Sequence, residues 1–180
     1  MNEDDRTLVD QVLSGETDAF AGLVRRHHAR IMGLCVSMLG DRTRAEDASQ
    51  EVFLKAFKSL EDFRGASSFG TWLHRIAVNR CLDLMRRQKR QTAEPLDAIP
   101  EREAPQGDGS LEDADLVRRL LDSLSPDYRA ILTLRELQGL GYKEIMEVLG
   151  ISMDAVKARL RRARQSLLES ARHISTPDSV

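Results

Sequence analysis

Cysteine, strand-like alternation and long apolar runs are all scarce in this 180-residue sequence. The two cysteines, Cys35 and Cys81, stand alone within helical patterns, so a zinc site is not expected. We expect both to be buried as small hydrophobic residues in a reducing compartment. No window approaches the roughly 18 apolar residues that a membrane span requires, and the acidic first residues lack a signal-peptide core. These absences predict a cytoplasmic protein without membrane insertion.

Catalytic patterns are also missing. The sequence contains no nucleophile elbow, phosphate-binding loop or HExxH motif. His27, His28 and His74 have no carboxylate or cysteine partners at ligand spacing, and we expect them to be surface or amphipathic residues. The sequence therefore predicts a protein that is not an enzyme and that takes no metal, cofactor or small-molecule substrate.

Helical periodicity covers most of the chain and predicts an all-α fold. Thr43 and Glu46 have the spacing of a capping box at the start of the third helix. Ser125 followed by Pro126 is typical of another helix start. Prolines and glycines among acidic residues indicate an extended linker. The predicted division is a first helical domain at 1–90, the linker at 91–110, a second helical domain at 111–172 and a frayed tail at 173–180.

The charges are segregated along the chain, although the net charge is only −2. Residues 63–92 contain seven basic residues and one acid, and residues 152–172 contain six basic residues and two acids. Residues 93–115 between them contain eight acids and one arginine. Two basic patches separated by an acidic segment suit nucleic-acid binding, with the acids screening the basic surfaces when the protein is free.

The most informative stretch is 141–167, which predicts a short helix, a turn at Gly150 and a second, basic helix. Ser152 is a candidate N-cap, and Asp154 suits the positive end of the helix dipole. One apolar stripe can pack on a core, namely Val156, Leu160, Ala163, Leu167 and Ala171. The remaining circumference is basic, with Lys157, Arg159, Arg161, Arg162 and Arg164. A solvated surface helix is the alternative, but the preceding helix and the glycine turn favour a helix-turn-helix that reads the DNA major groove.

The third helix carries an unusual exposed face. Leu54 points away from the predicted core and lies among Asp47, Gln50 and Glu51. An apolar residue within a polar ring can be the centre of a protein interface. A single exposed leucine is also ordinary, and composition alone slightly favours that second interpretation.

The loop from Phe63 to Ser68 precedes a helix that carries Asn79 and several arginines. Phe63 could stack on an unpaired base, with Ser67, Ser68 and Asn79 supplying hydrogen bonds. Alternatively, Phe63 caps the hydrophobic core at a helix end. The local sequence favours this second role.

Together these motifs resemble those of bacterial sigma factors. The first half resembles their conserved helical domain, through AEDASQEVFLKAF at 45–57, FRG at 63–65, FGTWLHRIAVNR at 69–80 and DLMRR at 83–87. The second half resembles their promoter-reading helix-turn-helix, through LSP at 124–126, GYKEI at 141–145, LGIS at 149–152 and VKARLRRAR at 156–164. Two domains joined by a short linker resemble the extracytoplasmic-function (ECF) subgroup of the sigma-70 family, whose members serve stress responses.

The resemblance implies a role for each surface in promoter-specific transcription initiation. Core RNA polymerase, through its beta-prime and beta subunits, is the implied protein partner, and the beta-prime clamp helices would dock on Asp47, Gln50, Glu51 and Leu54. The first domain would capture melted bases of the minus-ten element with Phe63, Arg64, Ser67, Ser68, Asn79 and Arg86. The second would read the minus-thirty-five duplex with Asp154, Ala155, Lys157, Ala158, Arg159 and Arg162.

The resemblance also implies a cognate anti-sigma factor and a linker directed toward the RNA exit path. One departure concerns Asp154 and Ala155, because members often have Gly-Thr there and a phosphate-binding hydroxyl is missing in this chain. Three other classes of protein remain as alternatives. They are an autonomous helix-turn-helix regulator, a nucleic-acid enzyme with a DNA-binding tail and a helical adaptor that does not bind DNA. None of them explains both domains, the linker and the charge segregation together.

Overall fold

The computed structural model describes residues 3–93 and 111–175, and within these two ranges it contains helices and no strand. The prediction of an all-α fold is therefore confirmed. Short 3-10 turns lie at Thr17–Ala19 and Leu60–Asp62, and a π-helical turn lies at Thr133–Leu137. The helices of the described ranges are α1 (Glu3–Leu13), α2 (Phe20–Leu39), α3 (Arg42–Lys58), α4 (Phe69–Ala93), α5 (Leu111–Asp122), α6 (Pro126–Leu132), α7 (Tyr142–Leu149) and α8 (Met153–Ser175).

Helix α3 begins earlier than the sequence predicted. Its N-cap is Asp41, whose carboxylate accepts a hydrogen bond from the Arg44 backbone N–H at 2.8 Å. The prediction of a capping box at Thr43 and Glu46 was wrong, because Thr43 already lies within the helix. Glu46 instead pairs with Arg42 at 3.1 Å on the exposed surface. Asp41 directly follows Gly40, the C-cap of α2, and its carboxylate satisfies a free backbone N–H at the start of α3 before Thr43 can do so.

The first half of the chain is a bundle of α2, α3 and α4, with α1 packed beside α2. The inward face of α3 is lined by small residues that let the helices approach closely, namely Ala45, Ala48, Val52 and Ala56, all buried. Helix α1 is held by Asp5, whose buried carboxylate contacts the Arg26 guanidinium at 3.3 Å and the His27 ring at 3.0 Å. These contacts hold α1 against α2, which itself packs on both α3 and α4.

The second half packs α6 and α7 against α8. Ser125 caps α6, with Pro126 at the first helical position, as predicted. Gly150 ends α7 in the left-handed conformation at φ 64°, which glycine adopts without a Cβ penalty. This turn redirects the chain from α7 into α8 and produces the predicted helix-turn-helix.

The predicted domain boundaries are only partly covered by the described residues. Helix α4 runs through Ala93 and helix α8 through Ser175, so each extends a few residues beyond the predicted boundary. The rest of the predicted linker, 94–110, and of the predicted tail, 176–180, lie outside the described residues. The buried side chains of the two halves form one continuous hydrophobic cluster, and α7 packs on α4.

The two cysteines lie together in the core, as small buried residues. The Cys81 thiol donates to the Cys35 sulfur across an Sγ–Sγ distance of 3.8 Å, and both side chains are inaccessible. The hydrogen bond with Cys35, together with burial, raises the pKa of the Cys81 thiol far above its usual range. Across the described ranges no group of three or more His, Cys, Asp or Glu side chains is arranged to hold a metal ion. None of the described helices is both long and apolar enough to cross a membrane.

Candidate nucleic-acid interface

The N-terminal half of α8 is oriented by its buried stripe. Val156, Leu160 and Ala163 are essentially inaccessible and pack into the core. At the helix start, the Ser152 hydroxyl accepts a hydrogen bond from the Ala155 backbone N–H at 3.2 Å, which is the predicted N-cap. The stripe fixes the rotation of the helix, so the opposite face and its charges are turned to solvent.

Helix α8 presents the six side chains of the predicted minus-thirty-five set to different degrees. Asp154, Lys157 and Arg162 are exposed, whereas Ala155, Ala158 and Arg159 are half-buried. The Arg159 guanidinium lies 3.8 Å from the Asp127 carboxylate in the first turn of α6. Lys157 and Arg162 are therefore the more accessible cations of the set, while Arg159 has an acidic neighbour.

One basic residue of α8 has a partner that the sequence pattern did not indicate. The Arg164 guanidinium donates from Nη2 at 2.7 Å and from Nε at 3.2 Å to the same Glu136 carboxylate oxygen. This hydrogen bond raises the pKa of Arg164. Glu136 lies 28 positions earlier in the π-helical turn, so no short-range spacing rule could have found the pair. Arg164 thus ties α8 to the segment before the helix-turn-helix.

The start of α7 is held by three further polar contacts. The Glu144 carboxylate accepts a hydrogen bond from the Gly141 backbone N–H at 2.8 Å. The Arg135 guanidinium lies over the Tyr142 ring at 5.1 Å from its centroid and donates to the Leu140 carbonyl at 2.9 Å. These contacts link the π-helical turn to the helix-turn-helix and limit its freedom to move as a separate unit.

The loop before α4 combines a packed aromatic with accessible polar groups. Phe63 is half-buried in an aromatic cluster, 5.2 Å from the Trp72 ring and 5.8 Å from the Phe69 ring between centroids. The Ser68 hydroxyl accepts a hydrogen bond from the Thr71 backbone N–H at 3.0 Å and so caps α4. Phe63 therefore has the core-capping position that the local sequence favoured, and base stacking by its remaining exposed surface stays a prediction.

The other predicted minus-ten residues lie beside this loop or along α4. Arg64, Asn79 and Arg86 are exposed, and Ser67 is half-buried. Asn79 and Arg86 are seven positions apart on one helix, so they share a face. The Arg86 guanidinium is 3.5 Å from the Asp83 carboxylate, an exposed pair of little energetic weight. A nucleic-acid strand lying along this face would meet a hydrogen-bonding amide and then a cation.

The predicted protein-binding face of α3 borders a groove. Asp47, Gln50, Glu51 and Leu54 are all exposed, with 53% of Leu54 accessible. A groove of about 390 Å³ lies between α3 and α4, with Leu54 on its rim. The Glu51 carboxylate crosses this groove to pair with Arg80 of α4 at 2.6 Å. The sequence placed these four residues on one face correctly but did not indicate the Glu51–Arg80 pair.

Comparison with known proteins identifies the class to which these surfaces belong. Residues 23–91 match the family model for sigma-70 region 2, and residues 114–167 match the model for sigma-70 region 4. Both models describe parts of one class of protein, the sigma factors of bacterial RNA polymerase. The matched segments coincide with the α2–α4 bundle and with the helix-turn-helix half.

Proteins that match this chain over nearly its full length show to which group of sigma factors it belongs. The chain is 34% identical to RNA polymerase sigma-H factor of Pseudomonas aeruginosa, over 92% of each protein. It is 36% identical to the ECF RNA polymerase sigma-E factor of Escherichia coli K12, over 91% of this chain and 92% of the relative. The chain belongs to the sigma-70 family, in its extracytoplasmic-function group. Membership implies that it binds RNA polymerase and directs transcription from promoters.

Solved structures show the same architecture. A structure of CnrH in complex with the cytosolic domain of CnrY matches with a TM-score of 0.73 and 32% identity, over 93% of this chain and 96% of that one. The sigma factor RpoE of Bartonella quintana, solved with the anti-sigma factor NepR, matches with a TM-score of 0.67 at 24% identity and supports the fold alone.

Proposed function

We propose that this ECF sigma factor reads the minus-thirty-five element as duplex with the start of α8 and captures melted minus-ten bases with the loop 63–68 and the exposed face of α4. The observation that carries this assignment is the orientation of α8. Its apolar stripe is buried, its cations face solvent, and α7 precedes it across a glycine turn. This is the arrangement with which a recognition helix enters the major groove.

Two kinds of contact would serve the minus-thirty-five element. Lys157 and Arg162 are accessible for phosphates or for guanine edges, which arginine binds in bidentate fashion. Arg159 would reach DNA after leaving Asp127, or would stay paired and orient α8. Asp154 and Ala155 supply no hydroxyl at the helix start, and the Ala155 backbone N–H is already bonded to Ser152, so the phosphate contacts there would differ from those of members with Gly-Thr.

Melting of the minus-ten element would be driven by preferential binding of the open strand. Extruding a base from a duplex costs a few kcal/mol. Stacking on an aromatic side chain contributes about 1–3 kcal/mol per base. A preformed loop with Phe63 at its base and polar groups at Ser67 and Asn79 offsets much of that cost without ATP. Arg64 and Arg86 would hold the flanking phosphates.

Two protein partners are proposed on separate grounds. The exposed Leu54, ringed by Asp47, Gln50 and Glu51, has the anatomy of an interface centre and would dock on the beta-prime clamp helices of core polymerase. The second half would contact the beta subunit. A protein that binds and restrains this chain, such as a cognate anti-sigma factor, is proposed because CnrH, 32% identical over 93% of this chain, was solved in complex with the cytosolic domain of CnrY.

The decisive experiment is run-off transcription by purified core polymerase, with and without this chain, on a pool of promoter fragments from its own genome. We expect specific new transcripts whose upstream sequences reveal both promoter elements. Tight duplex binding by the chain alone, without any new transcript, would contradict the proposal and indicate an autonomous regulator.

A further inference from the structure

The two proposed reading surfaces lie within one compact body, although their targets are far apart on DNA. The minus-ten and minus-thirty-five elements are separated by about 25 base pairs, which is about 85 Å at 3.4 Å per base pair. A compact chain of 180 residues has a radius of gyration of only about 16 Å. The arrangement in which α7 packs on α4 must therefore open before both elements can be read together.

Arg129 of α6 makes a direct polar connection between the halves. Its side chain is almost wholly buried, and Nη1 donates to the Met38 carbonyl in the last turn of α2 at 2.9 Å. Nη2 pairs with the Asp122 carboxylate at 2.8 Å. The last carbonyls of a helix lack intrahelical donors and favour a cation. Arg129 supplies both the donor and the charge, 91 positions along the chain from Met38.

The chain also packs closely beside this bond, at the end of α2. A Cβ added at Gly40, the residue that ends α2, would lie 3.2 Å from the Asp122 carboxylate. A Cβ added at Gly33, further back on α2, would lie 3.8 Å from the side-chain amide of Gln138. Glycine at position 40 therefore lets the Asp122 side chain approach the end of α2, whereas the distance at Gly33 is that of an ordinary van der Waals contact. The two halves are therefore in close contact at the end of α2, where Arg129 is buried.

The same contact places an acid beside the proposed minus-ten site. A groove of about 280 Å³ is lined from the first half by Ala66, Ser67, Thr71, Trp72 and Arg75, and from α7 by Glu147. A strand bound near Ser67 would bring phosphates toward this carboxylate. Like charges repel, and the Glu147 side chain forms part of the groove's lining, so the closed arrangement opposes strand binding there.

We propose that the free chain holds itself in a closed state that cannot bind the minus-ten strand. In this state Arg129 bonds the two halves together, a contact called the latch below, and the Glu147 carboxylate repels a strand from the groove. The part that concerns DNA rests on the proposed function, whereas the latch itself does not. Apparent affinity for the strand equals the intrinsic affinity scaled by the open fraction of the chain. Weakening the latch raises that fraction without adding any contact to DNA.

The latch can be tested without DNA, by small-angle X-ray scattering on the full chain. Arg129→Met keeps the apolar bulk but removes the charge and both hydrogen bonds. Arg129→Lys keeps the charge. Arg6→Met is the matched control, because Arg6 is an exposed arginine of α1. We expect the radius of gyration to rise from about 16 Å to 20 Å or more for Arg129→Met. Arg129→Lys should lie between, and the control should equal wild type.

An unchanged radius of gyration in an Arg129→Met chain with wild-type helicity would overturn the latch. Should that variant fail to fold, Arg129→Lys decides the question, because a folded lysine variant of wild-type size and unchanged strand affinity also overturns it.

A second arm measures binding of a fluorescein-labelled single-stranded oligonucleotide carrying the minus-ten sequence found by run-off transcription. We expect Arg129→Met to bind about tenfold more tightly than wild type, as a rise in open fraction from a tenth toward unity would give. Glu147→Gln should tighten binding by a smaller factor and leave the radius of gyration unchanged. Wild-type affinity in both variants, with an enlarged Arg129→Met chain, overturns the guarding of the groove while the latch stands. Failure of the proposed function would instead appear as absence of strand binding in every variant and in the holoenzyme.

Discussion

Arg162 and Arg164 are two positions apart on α8, yet they should contribute differently to DNA binding. Arg162 is exposed and free to neutralise a phosphate. Arg164 is already held by two hydrogen bonds to one oxygen of the Glu136 carboxylate. We therefore predict that Arg162→Ala flattens the salt dependence of promoter binding, whereas Arg164→Ala leaves it unchanged.

The expected magnitude follows from counterion release. Each phosphate contact on duplex DNA contributes a slope of about −0.9 to log K against log salt. Removing one contact therefore changes the affinity ratio between 50 and 200 mM salt by a factor of about 3.5. Arg164→Ala should affect stability instead, and by no more than about 1 kcal/mol, because its ion pair with Glu136 is half exposed.

The measurement is fluorescence anisotropy of a labelled minus-thirty-five duplex with reconstituted holoenzyme, at several salt concentrations. Both variants are compared with wild type at equal concentrations of active holoenzyme. A salt slope in Arg164→Ala reduced as much as in Arg162→Ala would refute the reasoning. It would mean that Glu136 releases its partner to DNA and that ion pairs in the free chain do not predict which cations neutralise phosphates.

Other predictions concern core polymerase, pH and stability. Replacing Asp47, Gln50 and Leu54 together with alanine should abolish binding to core polymerase in a pull-down while leaving the helical circular dichroism intact; retained binding would remove the interface from α3. Burial lowers the pKa of His74 below its usual 6.5, so its contribution to stability is complete above about pH 6.5 and is lost as the pH falls through the lower folded-state value. Urea unfolding of wild type and His74→Gln across this range should show a smaller pH dependence in the variant, and equal curves would exclude His74 as the cause. Leu160→Ala should lower the free energy of unfolding by about 2–5 kcal/mol in urea titration, since its side chain is fully buried on the inward face of α8; a loss well under 1 kcal/mol would show that α8 is not anchored there.

Local patterns in the sequence predicted the helices and the orientation of α8. Periodicity placed Val156, Leu160 and Ala163 on one buried face, and the structure buries all three. Ser152 and Gly150 were predicted as the cap and the turn, and both have those roles. These features depend on residues within one or two turns of each other, so their physics is contained in short stretches of chain.

Competition between neighbouring caps was harder to predict. Thr43 and Glu46 have the spacing of a capping box, but Asp41 lies two residues nearer the end of α2 and caps α3 first. Its choice depends on where α2 stops, at the left-handed Gly40. The correct start of α3 therefore required knowledge of how the preceding turn closes.

The sequence by itself determined the helical class, the helix-turn-helix and the sets of residues that share an exposed face, because helical spacing and turn chemistry are local. Only the tertiary structure decided which charges are already paired, as with Arg164 and Glu136, and that α7 lies on α4 with Arg129 bonded to Met38. Such pairs join positions 28 and 91 residues apart. No periodicity connects residues so distant, and their contact depends on the packing of whole helices against one another.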